Sequence, residues 1–173
     1  VQDFPVPVKV AYKVDGTPAD CVKIAMQYLL EEKPDYVFSG INDGYNAGFD
    51  IAYSGTLGAA FEAVMNGVPA MAFSNAMHSP LDIAETYLVD ILRELMKAGQ
   101  GRGEVWNVNF PAVAPEKLKG ILKKVAEDVE AGRSVATSFQ ERGGKLLPAV
   151  FIETIRAGEE SGNLSKAFET MYQ

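Results

Sequence analysis

Apolar residues fall in two alternating rhythms along most of this chain. Near the start, Val8, Val10 and Tyr12 alternate with Lys9, Ala11 and Lys13 beside Pro5 and Pro7, which predicts an edge strand. Asp15-Gly16 then signals a turn. Thr17, Pro18 and Asp20 form a helix-start signature of N-cap, first-position proline and first-turn acid, and Val22, Ala25, Met26 and Leu29 supply the apolar face behind it. Tyr36-Val37-Phe38 is a short apolar run of buried-strand type after the Pro34-Asp35 break. An Ala-rich stretch over 55–66 predicts a helix stopped by Gly67, and Ala70-Met71-Ala72-Phe73 predicts the next strand. A long helix over 81–98 has Ile83, Leu88, Ile91, Leu92 and Leu95 on one face, and the strand Val105–Phe110 ends at Pro111. Strands alternating with helices predict an α/β fold, a parallel sheet with helices on both faces.

Beyond about residue 114 the strand rhythm stops. Leu118, Leu122, Val125 and Val129 recur at helical spacing, and Gly132, Gly143-Gly144 and Gly158 to Gly162 punctuate short helical pieces. Pro148 opens a predicted helix over 149–157, and Asn163-Leu164-Ser165 opens another ending near Tyr172. The pattern divides the chain into an α/β unit over 1–119 and a small all-α segment over 120–173.

Composition narrows the chemistry. The 173 residues suffice for one domain with an appendage, and the 47% apolar content supports a core. A net charge of −7 without a basic cluster excludes a nucleic-acid backbone as partner. No run approaches the roughly 18 apolar residues of a membrane span. One cysteine, Cys21, excludes an internal disulfide and the multi-cysteine zinc patterns, and points to a reducing compartment such as the cytoplasm. Opening on Val1 without Met, the chain reads as a fragment of a longer protein.

The loop from Gly40 to Ser54 carries the chemistry. It leaves the carboxyl end of a predicted strand and enters a helix, the place where open α/β sheets collect ligands. Gly40, Gly44, Gly48 and Gly55 allow the backbone to present N–H groups, and Asn42 and Asn46 add neutral amides. Ser54 and Thr56 place hydroxyls at the helix start, whose free N–H groups and dipole favour a phosphate. No Gly-Lys-Ser/Thr follows and no Gly-x-Gly-x-x-Gly occurs, which excludes a Walker A loop and removes support for a nicotinamide cofactor. His78, the only histidine, reads as a solvated loop residue, Cys21 as buried helix packing and Trp106 as core. The acid pairs Glu31-Glu32 and Glu159-Glu160 read as solvated faces.

Several motifs also resemble one family. Gly16-Thr17-Pro18-Ala19-Asp20-Cys21-Val22, Pro34 through Asn42, Gly44-Tyr45-Asn46-Ala47-Gly48, Tyr53 through Ala60, Pro69 through Ser74 and Asn107-Val108-Asn109-Phe110-Pro111 are similar to the SurE survival-protein nucleotidases over about residues 1–119. The resemblance implies a Rossmann-like fold that usually dimerises, and metal-dependent hydrolysis of nucleoside 5′- and 3′-monophosphates. It further implies Asn42 as an amide ligand to a divalent ion (Mg²⁺ or Mn²⁺), with Ser54, Gly55 and Thr56 as the phosphate-cradling turn and Asn46 beside them. The ion would polarise the phosphoryl group and supply a bound water as nucleophile. The family holds its metal chiefly through an Asn-Asp-Asp-Gly segment and a later Ser, both upstream of Val1, so this chain alone is expected to be a poor enzyme. The tail, through Glu127 to Val135, Pro148 to Phe151 and Ile155 to Leu164, resembles the cytoplasmic helical domain of type II secretion and type IV pilus F-type proteins. That likeness implies an assembly scaffold without enzymatic activity, which is the rival reading, and a junction near 120–124 of the kind a gene-assembly chimera would leave.

Overall fold

A computed structural model describes residues 6–147 and 149–162. Three parallel strands, β1 (Val37–Asp43), β2 (Ala70–Asn75) and β3 (Val105–Phe110), form one sheet in the order β1-β2-β3. Helix α1 (Pro18–Ile24), widening into a π turn over Ala25–Leu29, precedes the sheet. A 3₁₀ turn (Gly48–Tyr53) and α2 (Gly55–Met65) connect β1 to β2, and α3 (Asp82–Ala98) connects β2 to β3. Helices α4 (Pro115–Glu130), α5 (Val135–Gly143) and α6 (Ala149–Glu160) follow. This is the α/β, Rossmann-like arrangement with a helical C-terminal segment that the sequence predicts.

The α1 start forms as expected. The Asp20 N–H donates to Thr17 Oγ1, and Thr17 N–H donates to Asp20 Oδ2, a reciprocal box at the helix entry. The Thr17 hydroxyl, then its N–H, hold the Asp20 carboxyl below the usual carboxylate range. By contrast, the alternation over 5–13 forms no strand among the described residues. Among the described residues no strand pairs with the backbone of 6–13 to fix a ladder, and alternation alone cannot supply one.

Strand β2 is buried at every position because helices cover both of its faces. Ala70 and Ala72 pack with Leu57, Ala60 and Ala63 of α2 and with Val105. Met71 and Phe73 pack with Ile83 and Ala84 of α3, Phe110 of β3, and Ile121 and Val125 of α4. The strands step across the sheet in one direction while α2 and α3 lie on opposite faces. The two crossovers therefore have opposite hand, and one departs from the usual right-handed connection.

Two expectations are corrected by this layering. The run Tyr36 to Phe38 reads as a buried strand, yet among the described residues β1 lies at the edge of the sheet and Phe38 is half exposed, held by ring contacts to Tyr36 and Phe73. In α4, Leu118 and Val125 turn inward as expected, but Ile121 completes the stripe while Leu122 and Val129 face outward. The apolar period was correct and its phase was not, since a neighbouring sheet selects one face of a helix with apolar residues on two.

The helical segment continues from α4 without a break. The position expected to divide the chain, between 119 and 120, falls inside this helix. Phe139 of α5 and Leu146 just after it pack against the core cluster in which Ile121 and Val125 of α4 join Met71, Phe73 and Phe110. Phe139 also meets Phe151 of α6 edge-on, ring centres 5.3 Å apart, and Ile152 and Ile155 are buried. Asp128 of α4 is clamped by Arg142 of α5, with Nε and Nη2 at 2.7 and 2.9 Å, and meets Arg133 at 3.2 Å. Glu159 of α6 caps the start of α5, accepting from Ala136 N–H at 3.0 Å and from Val135 N–H and the Ser134 hydroxyl. The further helix expected from Asn163 lies outside the described residues.

Candidate functional site

All three strands end at one edge of the sheet, and the loops leaving β1, β2 and β3 gather there. Helix α2 starts at this edge, since it leaves the β1 loop and runs back toward the start of β2. Its N-cap is Ser54, whose Oγ accepts from Leu57 N–H at 3.1 Å. Gly55 is exposed and Thr56 half-buried, so the first-turn N–H groups, which precede the intrahelical ladder, face the edge. Ser54, Gly55 and Thr56 therefore occupy a helix start of the type that receives an anion.

Glycine shapes the strand leading into this site. Gly40 has φ +119°, and a Cβ there would collide with the Phe73 carbonyl oxygen of β2. Pairing between β1 and β2 shifts register between Ser39 and Asn42, and resumes with Asn42 opposite Ser74 and Asp43 opposite Asn75. In this register Asn42, Ser74 and Asn109 share the face covered by α2. Asp43 and Asn75 lie in the row that faces the α3 side.

Asn42 is half-buried, and its Nδ2 donates to the Gly44 carbonyl at 2.8 Å, which leaves its amide oxygen as the group suited to a cation. Asn46 is buried, with its Nδ2 donating to Ser74 Oγ at 2.6 Å. Its backbone N–H donates to Asn109 Oδ1 at 2.9 Å, and its carbonyl accepts from Asn107 Nδ2 at 2.7 Å. Tyr45 beside it hydrogen-bonds the Ala112 backbone, and burial pushes its hydroxyl above the ordinary phenol range. Asn42 and Asn46 are thus brought to the same sheet edge as the α2 start, as the sequence expected. The sequence reading missed Ser74, Asn107 and Asn109. The signal was present in two asparagines at i and i+2 of an otherwise apolar strand, where core packing alone would place aliphatic residues.

His78 is exposed, as expected of a loop histidine, but it is not free. Its N–H donates to Asp43 Oδ1 at 2.6 Å and its Nδ1 lies 3.0 Å from Asp43 Oδ2. Cys21 is half-buried in α1, and Trp106 packs against the α3–α4 side of the core.

A divalent cation would need several hard oxygen donors. Among the described residues, no group of three or more His, Cys, Asp or Glu converges to hold a metal. Asn42 offers one neutral oxygen, and the neighbouring Asp43 carboxylate is engaged by His78. The described residues do not by themselves fit such an ion. No helix among them is long and apolar enough to cross a membrane.

Comparison with known proteins agrees with this architecture. Residues 4–131 match the family described as Survival protein SurE, and residues 109–173 match Type II secretion system protein F. The two matches share residues 109–131, the end of β3 and all of α4. A 5'-nucleotidase SurE of Neisseria gonorrhoeae is 46% identical over 165 residues, covering 92% of this chain and 66% of its own length. Another from Wolbachia pipientis of Culex pipiens is 40% identical over 157 residues, covering 90% of this chain and 59% of its own length. Alignments this long necessarily enter the helical segment. A crystal structure of the SurE protein from Aquifex aeolicus superposes with a TM-score of 0.56 at 36% identity, covering 69% of this chain and 52% of that one. The chain thus spans roughly half to two thirds of the length of these relatives.

Proposed function

This chain belongs to the SurE family, and on that footing we propose that it carries the phosphate-facing part of a nucleotidase centre acting on nucleoside 5′- or 3′-monophosphates. The carrying observation is the placement of the Ser54-capped start of α2 beside the Asn42 and Asn46 amides at the carboxyl edge of a parallel sheet. The Gly55 and Thr56 N–H groups and the hydroxyls of Ser54 and Thr56 bind the phosphate oxygens, aided by the positive end of the helix dipole. Asn46 borders this anion site, and Asn42 would offer its carboxamide oxygen as one of the ligands to a divalent ion, Mg²⁺ or Mn²⁺. Such an ion would polarise the phosphoryl group in the whole enzyme. The remaining donors would have to come from outside the described residues, so hydrolysis by this chain alone should be weak even where phosphate binding persists. Homodimerisation and a cytoplasmic setting belong to the same proposal.

The rival is a non-catalytic assembly scaffold, favoured by the match of residues 109–173 to a secretion-system protein. Against it, Phe139 and Leu146 pack against the cluster that α4 shares with the sheet, so part of the tail's contact surface is consumed internally. Calorimetric titration of inorganic phosphate and adenosine monophosphate, with and without Mn²⁺, tests the choice. Saturable binding to the wild type, weakened about tenfold by Ser54→Ala, is expected from loss of one charge-assisted bond. Equal affinity in Ser54→Ala, or no binding by the wild type, refutes the nucleotidase reading.

A further inference from the structure

We propose that Asn107 and Asn109 of β3, together with Ser74 of β2, are positioning residues that lock the loop over residues 44–47 against the sheet and so fix the anion site; this rests on the nucleotidase reading above. Asn46 is the residue they grip. Its N–H donates to Asn109 Oδ1 at 2.9 Å, its carbonyl accepts from Asn107 Nδ2 at 2.7 Å, and its own Nδ2 donates to Ser74 Oγ at 2.6 Å. Asn109 Nδ2 also reaches Asn107 Oδ1 at 3.3 Å, joining the two grips into one network. Both backbone polar groups of a loop residue are therefore satisfied by side chains more than sixty positions away.

The loop cannot supply this rigidity itself. Gly44 and Gly48 flank the segment with φ of +124° and +61°, conformations reached through the freedom of glycine. Its stiffness is imported from β3, the strand farthest from the one that launches the loop. The cost of burying three amides and a hydroxyl is met only while every bond is made, which makes the network sensitive to single substitutions. Asn42 lies at the entry to this loop and Ser54 beyond its exit. Slack at Asn46 therefore separates the amide from the helix start, and a displacement of about 1 Å is enough to lose productive geometry.

The test uses the 173-residue chain with Asn109→Ala, Asn109→Asp, Asn107→Ala and Asn66→Ala. Asn66, whose side chain bonds the Glu62 carbonyl at the far end of α2, controls for a lost amide elsewhere. Amide hydrogen exchange is read at Asn46 and at Leu57, and inorganic phosphate affinity by calorimetry with Mn²⁺. In Asn109→Ala, exchange at Asn46 should rise about tenfold relative to Leu57 and phosphate affinity should fall about tenfold, as expected for one lost hydrogen bond. Asn107→Ala should act in the same direction, and Asn66→Ala should leave both readings unchanged. Asn109→Asp keeps an acceptor for the Asn46 N–H but loses the donor to the Asn107 amide oxygen and the Asn46 carbonyl, so it should recover part of the protection lost in Asn109→Ala, a rescue that general destabilisation would not give. Asn109 is only half-buried, so its variants keep the test open if Asn107→Ala fails to fold. A wild type that binds phosphate, with Asn109→Ala unchanged in both readings, overturns this proposal alone. A wild type that binds no phosphate overturns it together with the nucleotidase reading.

Discussion

Gly40→Ala should damage this fold more than its position on an edge strand suggests. Gly40 sits at φ +119°, outside the three regions open to L-residues, and forcing a side chain there costs about 1–3 kcal/mol. An added Cβ would also meet the Phe73 carbonyl oxygen far inside the roughly 3.5 Å at which non-bonded atoms settle. That oxygen belongs to the central strand, buried along its whole length, so it cannot swing aside as a side-chain tip would. Opening β1 from β2 to relieve the overlap adds a further cost of about 1–3 kcal/mol. The sum is about 4 kcal/mol, a large share of the roughly 5–15 kcal/mol that holds a domain together. With a urea m-value of about 2 kcal/mol per molar, the unfolding midpoint should fall by about 2 M. Equilibrium urea denaturation followed by circular dichroism reads this directly. A midpoint within about 0.3 M of the wild type would show that the β1–β2 contact yields freely and would refute the reasoning.

Two further outcomes concern the helical segment. The Arg142 guanidinium, with Arg133 beside it, holds the Asp128 carboxyl at about 2, below its unfolded value. A depressed carboxylate contributes stability that is present above its unfolded pKa of about 4 and is lost as pH falls through about 2. Urea midpoints measured from pH 5 to pH 2 should therefore decline in the wild type and decline less steeply in Asp128→Asn; parallel curves would contradict this. Glu159 shifts the same way: partial burial raises it, but the Ser134 hydroxyl and the Ala136 and Val135 N–H groups outweigh that and lower it. Because Glu159 caps α5, Glu159→Ala should cost about 1 kcal/mol, as lost helix caps do, and Glu159→Gln less. Scanning calorimetry should show a fall of about 2–4 °C for the alanine variant, and an unchanged midpoint would mean the cap is not needed.

Much of this protein was legible from residue order alone, because the signals are local. The capping pair Thr17 and Asp20 lies within one helical turn, and the stop at Gly67 needs only a glycine that takes positive φ. The apolar run at 70–73 predicted a strand, though its burial on both faces came from the helices that cover it, and the Ser54 start of α2 is written in a hydroxyl beside Gly55. What failed depended on partners distant in the chain. Alternation over 5–13 predicted a strand, but a strand exists only when another strand takes its hydrogen bonds. The phase of the α4 stripe was decided by which face meets Met71 and Phe73, a choice its own sequence leaves open. His78 found Asp43 across the site only when β1 and β2 came into register. Asn46 was legible as a polar loop residue, but not as the point where two strands grip that loop, since Asn107 and Asn109 reach it only through folding. Sequence set the elements and the Ser54-capped helix start, because capping, turns and periodicity act over a few residues. The tertiary structure alone decided faces, register and the amide clamp, because hydrogen bonds and packing act through space.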